Sequence, residues 1–581
     1  MESINFFIQP KTVVQKQYEA LRMFFVEGLP ARNVADKFGY TYRAFTSIVT
    51  DFREKLRNNN AGESFFCDRQ RGRKASVSID ETTSVIVNLR KNFYSVEDIK
   101  VVLDGKGFAV SEKSIFLILR REGFGRLPRR TRKIKHQLTE VKLTADKSEK
   151  LTFAPESFKS ASAGILCLLP YLNRYGIDKI IEQSGFPQTK TLDRVNSILS
   201  FLALKISNVR RYSADNLWCM DRGSGLFSGL NVLPKAAWFS SYSHRVTSNM
   251  NLTFLRELHQ KWISEGLLSD TINLDFTTIP YWGDNAHLEN NWSGKRGKAL
   301  SSMLAVLASD PDSGIIDYGN TNVLHKDEGS VVLEFLDFYR YNNNERWDDL
   351  KYLVFDSKFT NYENLARLDD KKVKFITIRR RGKNIVSKIE GVAKDNWKTV
   401  RVECAGNKKR TLKVTDDTVF LKGYNKNIRQ ICITGNGKIK PALLITNDFD
   451  LKLEMIIRKY SKRWLIEKEI SEQIEFFHLN RVSSSMVIKV DFDLTMSILA
   501  HNIYRLFALD LERYTHLSVQ SLYEKFVLNT ADIDIEDEQI VVKLKKKRNL
   551  PIVLESMNQF SKMKYKWLKN KKVIFQGASY S

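Results

Sequence analysis

Two apolar runs far apart in the chain each end on an aspartate, and helix-patterned segments alternate with them. That alternation restricts the possible folds more than any other feature. TINLD spans Thr271 to Asp275, and KYLVFD spans Lys351 to Asp356. Between them GKALSSMLAVLASD and SGIIDYG read as further strands, with a turn at Asp312-Ser313-Gly314, and GSVVLEFLDFYRY reads as a helix. NYENLARL after Asp356 continues the alternation, and the pattern predicts an α/β sheet. A carboxylate at the end of a buried strand must be solvated, paired or metal-bound, because an unpaired buried charge is costly. In open α/β sheets, polar groups at strand ends face the crevice where ligands bind.

From Val373 to Asp448 the chain is almost purely β-patterned, and helix returns in LKLEMIIRKYSKRWLIEKEISEQIEFFHLN and DFDLTMSILAHNIYRLFALDLERY. In the first of these, Tyr460, Arg463 and Glu467 recur at i, i+3 and i+7 and share one face, with Leu465 and Ile466 expected to turn inward. Arg matches a phosphate with two parallel hydrogen bonds, Tyr donates one, and Glu offers a hard oxygen to a cation. A surface ion-pair face is the plainer explanation for such a stripe.

The front of the chain has a different character. GLPARNVADKFGYTYRAFTSIVTDFREKL predicts a short helix carrying Val34, Ala35 and Phe38, a turn at Gly39-Tyr40, and a second helix carrying Phe45, Ile48, Val49 and Phe52. The pattern recurs with Ser95 and Ser111 as helix caps, and both units read as helix-turn-helix motifs. The basic run after the second includes Arg129, Arg130, Arg132 and Lys133. Lys plus Arg number 93 against 67 Asp plus Glu, a formal charge of +26 that calls for a polyanionic partner. No window nears the roughly 18 apolar residues of a membrane span. The opening MESINFFIQPK lacks the layout of a signal segment, and the five cysteines form no C-x-x-C pair. An intracellular, reduced protein bound to nucleic acid is expected.

At this point the chain resembles a DDE-type insertion-sequence transposase, of the branch with a β-rich insertion between the second Asp and the Glu. Asp275-Phe276-Thr277 matches that branch's Asp-x-Thr, FDSKFTNYENL matches its second Asp, and Tyr460, Arg463 and Glu467 match its helix signature. SGLNVLPKAAWFSSYSHRV is similar to the helical region ahead of the domain in such enzymes. The resemblance implies a multidomain chain: an all-α tandem helix-turn-helix N-terminus, a helical middle region, and an α/β ribonuclease-H-like catalytic domain interrupted by an all-β insertion. The boundaries expected are 1–60 and 76–135 for the two helix-turn-helix units and 161–270 for the helical region. The catalytic domain takes 271–370 and 449–540, the insertion 371–448, and a basic tail 541–581.

The resemblance also implies a site and its partners. Asp275, Asp356 and Glu467 would hold Mg²⁺ or Mn²⁺, two ions, with Asp275 bridging, and Tyr460 and Arg463 would hold phosphates beside them. The implied activity is cleavage and strand transfer of double-stranded DNA at transposon terminal repeats, by a homodimer that pairs two ends, in the cytoplasm and associated with the nucleoid, with no membrane partner. An inactive DNA-binding regulator and a nuclease without strand transfer are the alternatives. The signature's final Lys falls on Ile474, so His478 or Lys468 would supply that cation, and Ser357 and Lys358 stand where a Gly is common. Arg379, Arg380 and Arg381 could track a phosphate backbone, and Trp397 could stack on a base, although sheet-edge protection and sheet packing explain them as well. Asp284, Asp317, Glu469 and Glu472 are rival acids, expected to be structural.

Overall fold

Apolar residues at helical spacing wind α1 (Val13–Phe25), α2 (Ala31–Lys37) and α3 (Tyr42–Arg57). The computed structural model describes residues 13–57, 79–91, 94–106, 108–125, 127, 150–189, 191–209, 217–281, 288–293, 297–341, 349–380, 382, 385, 389, 391, 393–404, 408–435, 441–481 and 487–579. They fall into two units, Met1–Ile79 and Asp80–Ser581. In the first, Ala20, Leu21, Val34, Ala35, Phe38, Phe45 and Val49 form the core, with Ile48 and Phe52 packed on it. The turn stands where the sequence puts it. Gly39 takes φ +62°, which suits a residue without a Cβ, and the Tyr40 amide donates back to the Ala35 carbonyl.

The second unit opens with α4 (Ile79–Lys91), α5 (Val96–Gly105) and α6 (Glu112–Arg121). Ser95 caps α5 reciprocally with Asp98, and Ser111 caps α6, as the sequence predicts. Ile86, Ile99, Leu103, Ile115 and Leu119 close a small core. The trio is clamped to its neighbours. The buried Lys91 Nζ donates to the carbonyls of His244 and, at 2.9 Å, Val246. Burial, with Lys489 nearby, pulls that ammonium down to about 7.

Beyond it, β1 (Glu156–Ser160) leads into a helical region that includes α7 (Arg194–Ile206) and α8 (Ser248–Ser264). The main sheet holds β2 (Thr271–Pro280), β3 (Asn290–Ser293), β4 (Lys298–Ser309), β5 (Ile316–Val323), β6 (Tyr352–Phe355) and β7 (Lys374–Ile378). It continues with β8 (Lys398–Cys404), β9 (Lys408–Leu421), β10 (Lys426–Thr434) and β11 (Ala442–Thr446). In space β5, β4, β2, β6 and β7 lie side by side. The β5–β4 and β4–β2 pairs are antiparallel, and the β2–β6 and β6–β7 pairs are parallel.

The β-rich segment continues the main sheet: β7, at its start, pairs in parallel with β6, and β11 pairs with β7, so β11, β10, β9 and β8 follow in that order. The pairing joins residues some 70 positions apart, Ile376 with Thr446, and no local pattern reveals it.

Helices cover the sheet. α9 (Leu453–Lys462) and α10 (Trp464–Glu475) follow β11, and α11 (Val487–Leu509) packs on β5 and α7. Asn502 fixes α11 to the strand, accepting from the Ile316 amide at 2.9 Å and donating to its carbonyl at 2.8 Å. His259 on α8 meets Asp317 on β5 at 2.9 Å, both fully buried, so the acid Asp317 has a structural partner.

The segment expected as a basic tail is folded. β12 (Ala531–Ile535), β13 (Gln539–Leu544), β14 (Lys564–Tyr565) and β15 (Lys571–Gly577) join β1 in a second sheet, ordered β1, β12, β13, β15, β14. Ile540, Val542, Leu544, Tyr565 and Val573 are buried in it. Residues 156–160, expected as linker, are its edge strand. The lysine-rich composition hid the alternating apolar face, because lysines occupy the outward positions of strands as readily as they occupy a coil. Among the described residues no helix is long and apolar enough to cross a membrane.

Gly164 marks where this small sheet meets the helical region. Its amide donates to the Asn529 carbonyl, and a Cβ there would stand 1.8 Å from the Val527 carbonyl oxygen. Urea unfolding of Gly164→Ala is expected to show a loss of about 1–3 kcal/mol, the usual cost of overpacking. An unchanged midpoint would contradict the close approach.

Candidate active site

The register of one strand pair builds half of the site. β2 and β6 run parallel with Leu274 opposite Phe355, so Asp275 and Asp356 each stand one residue beyond that last pair. Asp356 follows the end of β6, whereas Asp275, expected at a strand end, lies in the middle of β2, which runs on to Pro280. Asp275 remains in β2, paired with Leu307 of β4, while Asp356 leaves the sheet and accepts from the Ser357 amide at 2.6 Å. The next aromatic on each side completes the brace. The rings of Phe276 and Phe359 stack with centroids 3.9 Å apart and 6° between planes.

The helical half is bolted along β2. Lys459 donates to Asp270 at 3.1 Å and to the Thr271 hydroxyl at 2.6 Å, and Asn273, fully buried, donates to the Lys462 carbonyl at 3.1 Å. Arg463 follows at the junction of α9 and α10. Its Nη1 donates to Asp275 at 2.7 Å and its Nη2 to Glu467 at 2.9 Å. The guanidinium is 8% exposed, Asp275 16% and Glu467 51%. Removing one member of a buried pair strands the other's charge, at a typical cost of about 3–5 kcal/mol.

The electrostatics are those of one cluster. Burial pushes the Asp275 carboxyl up to about 6; Arg463 and the Phe276 amide oppose the rise, while Asp356 and Glu467 add to it. The Tyr460 hydroxyl is pushed well up, first by burial and then by Asp356 and Asp275. Burial would pull the Arg463 guanidinium down, but Tyr460, Asp275, Asp356 and Glu467 together hold it above its ordinary value. Asp275, Asp356, Glu467, Tyr460 and Arg463 therefore act on one another, although nearly two hundred positions separate the first from the last.

Other sequence candidates fall elsewhere. Arg379 donates to Gln430 at 2.5 Å inside the sheet, and Arg380 is exposed. Arg129, Arg130, Arg132, Lys133, Arg381 and Asp284 lie outside the described residues. Trp397 packs on Ile389, Cys432 and Leu443. Glu469 is buried, which pushes its carboxyl up to about 8, and Glu472 accepts from the Val519 amide. His478 is not on the helix face: α10 ends at Glu475, and His478 takes φ +55° beyond it, 2.6 Å from Asn208. Lys468 donates to the His516 carbonyl. Leu465 is exposed rather than inward, while Ile466 is buried. The helix turns slightly at Arg463, where the Ile466 amide reaches back three residues instead of four, and this shifts the phase of the apolar stripe. Asn273, Lys459 and the Phe276–Phe359 stack escaped the sequence reading. A lone Asn inside the apolar run TINLD was the one available signal.

The donor chemistry fits a hard divalent cation, since Asp275, Asp356 and Glu467 are all carboxylate oxygen donors. In this arrangement, among the described residues, no three acidic, His or Cys side chains stand close enough to enclose one ion. Arg463 bridges Asp275 and Glu467 instead.

The raised Asp275 carboxyl sets a pH dependence. Between its unfolded value near 3.8 and its folded value near 6, the folded chain holds a proton that the unfolded chain has lost. Its stabilising contribution is present at low pH and lost as pH rises through about 6. In urea unfolding across that window, wild-type stability minus that of Asp275→Asn is expected to fall by roughly 3 kcal/mol with rising pH. A flat difference would contradict the buried site.

Part of the chain is similar to a known family. Residues 269–503 match the transposase DDE domain family, a span that begins just before β2 and ends within α11. No curated protein matches the chain. Among solved structures, the cryo-electron microscopy structure of a piggyBac transposase synaptic complex with hairpin DNA is similar at 10% identity and a TM-score of 0.32, over 71% of this chain and 86% of that one, a likeness too slight to argue from. The matched span, which contains Asp275, Asp356 and Glu467, is similar to a DDE-type transposase domain.

Proposed function

We infer that the protein cuts transposon ends and joins them to target DNA, using Asp275, Asp356 and Glu467 as one acidic site. The observation that supports this reading is that Asp275 and Asp356 stand on neighbouring parallel strands, each one residue past their last paired residues, while Arg463 links Asp275 to Glu467. The order β5, β4, β2, β6, β7, with its two antiparallel and two parallel pairings, supports a ribonuclease-H-like reading of the domain.

The residues then divide the work. Asp275, Asp356 and Glu467 would hold two divalent ions, Mg²⁺ or Mn²⁺, which when bound activate an attacking oxygen and steady the leaving one. Arg463 and Tyr460 lie beside the acids and orient the phosphate, Arg463 through a two-pronged contact. The helices α2 and α3, and α5 and α6, are of the size and layout that read a DNA groove, and the net charge of +26 favours a polyanion. Arg129, Arg130, Arg132 and Lys133 add basic charge for a phosphate backbone, and two copies, each gripping one end, would pair the ends. Such a protein works where DNA is, in the cytoplasm on the nucleoid.

The test uses the full chain, Mg²⁺ and a plasmid carrying the DNA that flanks the coding segment. Asp275→Asn, Asp356→Asn and Glu467→Gln are each expected to reduce end cleavage at least about a thousandfold. Wild-type rates in all three would remove the acids from the reaction. Cleavage without any joined product when target DNA is added would reduce the activity to that of a nuclease.

A further inference from the structure

Arg463 stands where two needs conflict. The proposed reaction asks Asp275 and Glu467 to give their oxygens to divalent ions. In the structure both already give an oxygen to one guanidinium, at 2.7 and 2.9 Å. The side chain is 8% exposed, so little water competes for those contacts. Asp356 is within the same electrostatic neighbourhood. The guanidinium competes with any cation for the Asp275 and Glu467 oxygens that it bridges.

We propose that Arg463 is the resident counter-ion of the acidic site and leaves it for a DNA phosphate, so that DNA opens the site to metal. This rests on the reading of the three acids as a metal site. The exchange needs little motion and no bond breaking. Arg463 is the one residue between α9 and α10, so its side chain starts from a junction rather than from inside either helix. A phosphate offers two acceptor oxygens to the same two nitrogens, Nη1 and Nη2, that the two carboxylates now hold. Glu467, half exposed, is the partner from which release begins. Without DNA, the buried Asp275 stays neutralised and the site stays closed to stray ions. With DNA, a phosphate replaces two carboxylates as the partner of Arg463, and the freed carboxylates take the ions. Metal and DNA then bind with positive cooperativity, and each raises the affinity for the other by the same factor.

The experiment titrates the DNA-free full chain with MnCl₂, followed by calorimetry and by the electron paramagnetic resonance of bound Mn²⁺. Arg463→Gln removes the competing cation and is expected to tighten Mn²⁺ binding by about tenfold or more. Arg463→Lys keeps a charge that cannot span both carboxylates, and an intermediate gain is expected; it also serves if the glutamine variant does not fold. Affinity equal to or weaker than wild type in the folded variants would overturn the exchange. Adding Asp356→Asn to Arg463→Gln is expected to abolish the gain. A gain that survives this addition would place the ion elsewhere and overturn the metal-site reading together with the exchange.

Discussion

Parallel pairing of β2 with β6 sets Asp275 beside Asp356, and the arrangement would be self-repelling if nothing compensated it. Two carboxylates on neighbouring buried strands cannot both ionise cheaply without a positive partner. In the folded chain that partner is Arg463, delivered by α9 after the chain has passed through β8 to β11. Its position depends in turn on Lys459 and on Asn273, which hold the helix along β2. One ion pair therefore ties a strand register to a helix docking angle. The sheet, the helix and the acids are parts of one electrostatic arrangement.

The rest of the second unit keeps that arrangement rigid. Asn502 grips both backbone groups of Ile316, and the buried His259–Asp317 pair joins α8 to β5. Each fixes a helix to the sheet by satisfying polar groups inside an apolar layer, where an unmade bond is far more costly than a made one is valuable. Lys91 does the same for the α4–α6 trio, and its burial shows how closely that trio is seated. The reaction proposed for the site, which would position a phosphodiester to within about half an ångström, needs this kind of scaffold.

Much of the site was legible in the sequence because its parts obey local rules. The apolar run ending in Asp356 announces a strand end, the run TINLD announces a strand that continues past Asp275 to Pro280, and a period near 3.6 places Tyr460, Arg463 and Glu467 on one face. Ser95 and Ser111 announce their helices by capping. What stayed hidden depends on long-range pairing or on phase. The β11–β7 ladder makes one sheet of what reads as two, and the strand β15 reads as a lysine-rich coil. The slight turn at Arg463 exposes Leu465, and the end of α10 removes His478 from the face that its spacing assigned to it. Arg463 itself was read as a phosphate ligand, and its hold on two acids depends on tertiary contact alone.

The central claim is that Asp275, Asp356 and Glu467 form one metal-holding site on DNA. Anomalous diffraction from crystals of the chain with DNA and Mn²⁺ tests it most directly. The account predicts manganese peaks within coordinating distance of all three carboxylates, with the Arg463 guanidinium turned onto a phosphate. Manganese bound away from these acids, or Arg463 still bridging Asp275 and Glu467 in the loaded complex, would contradict it.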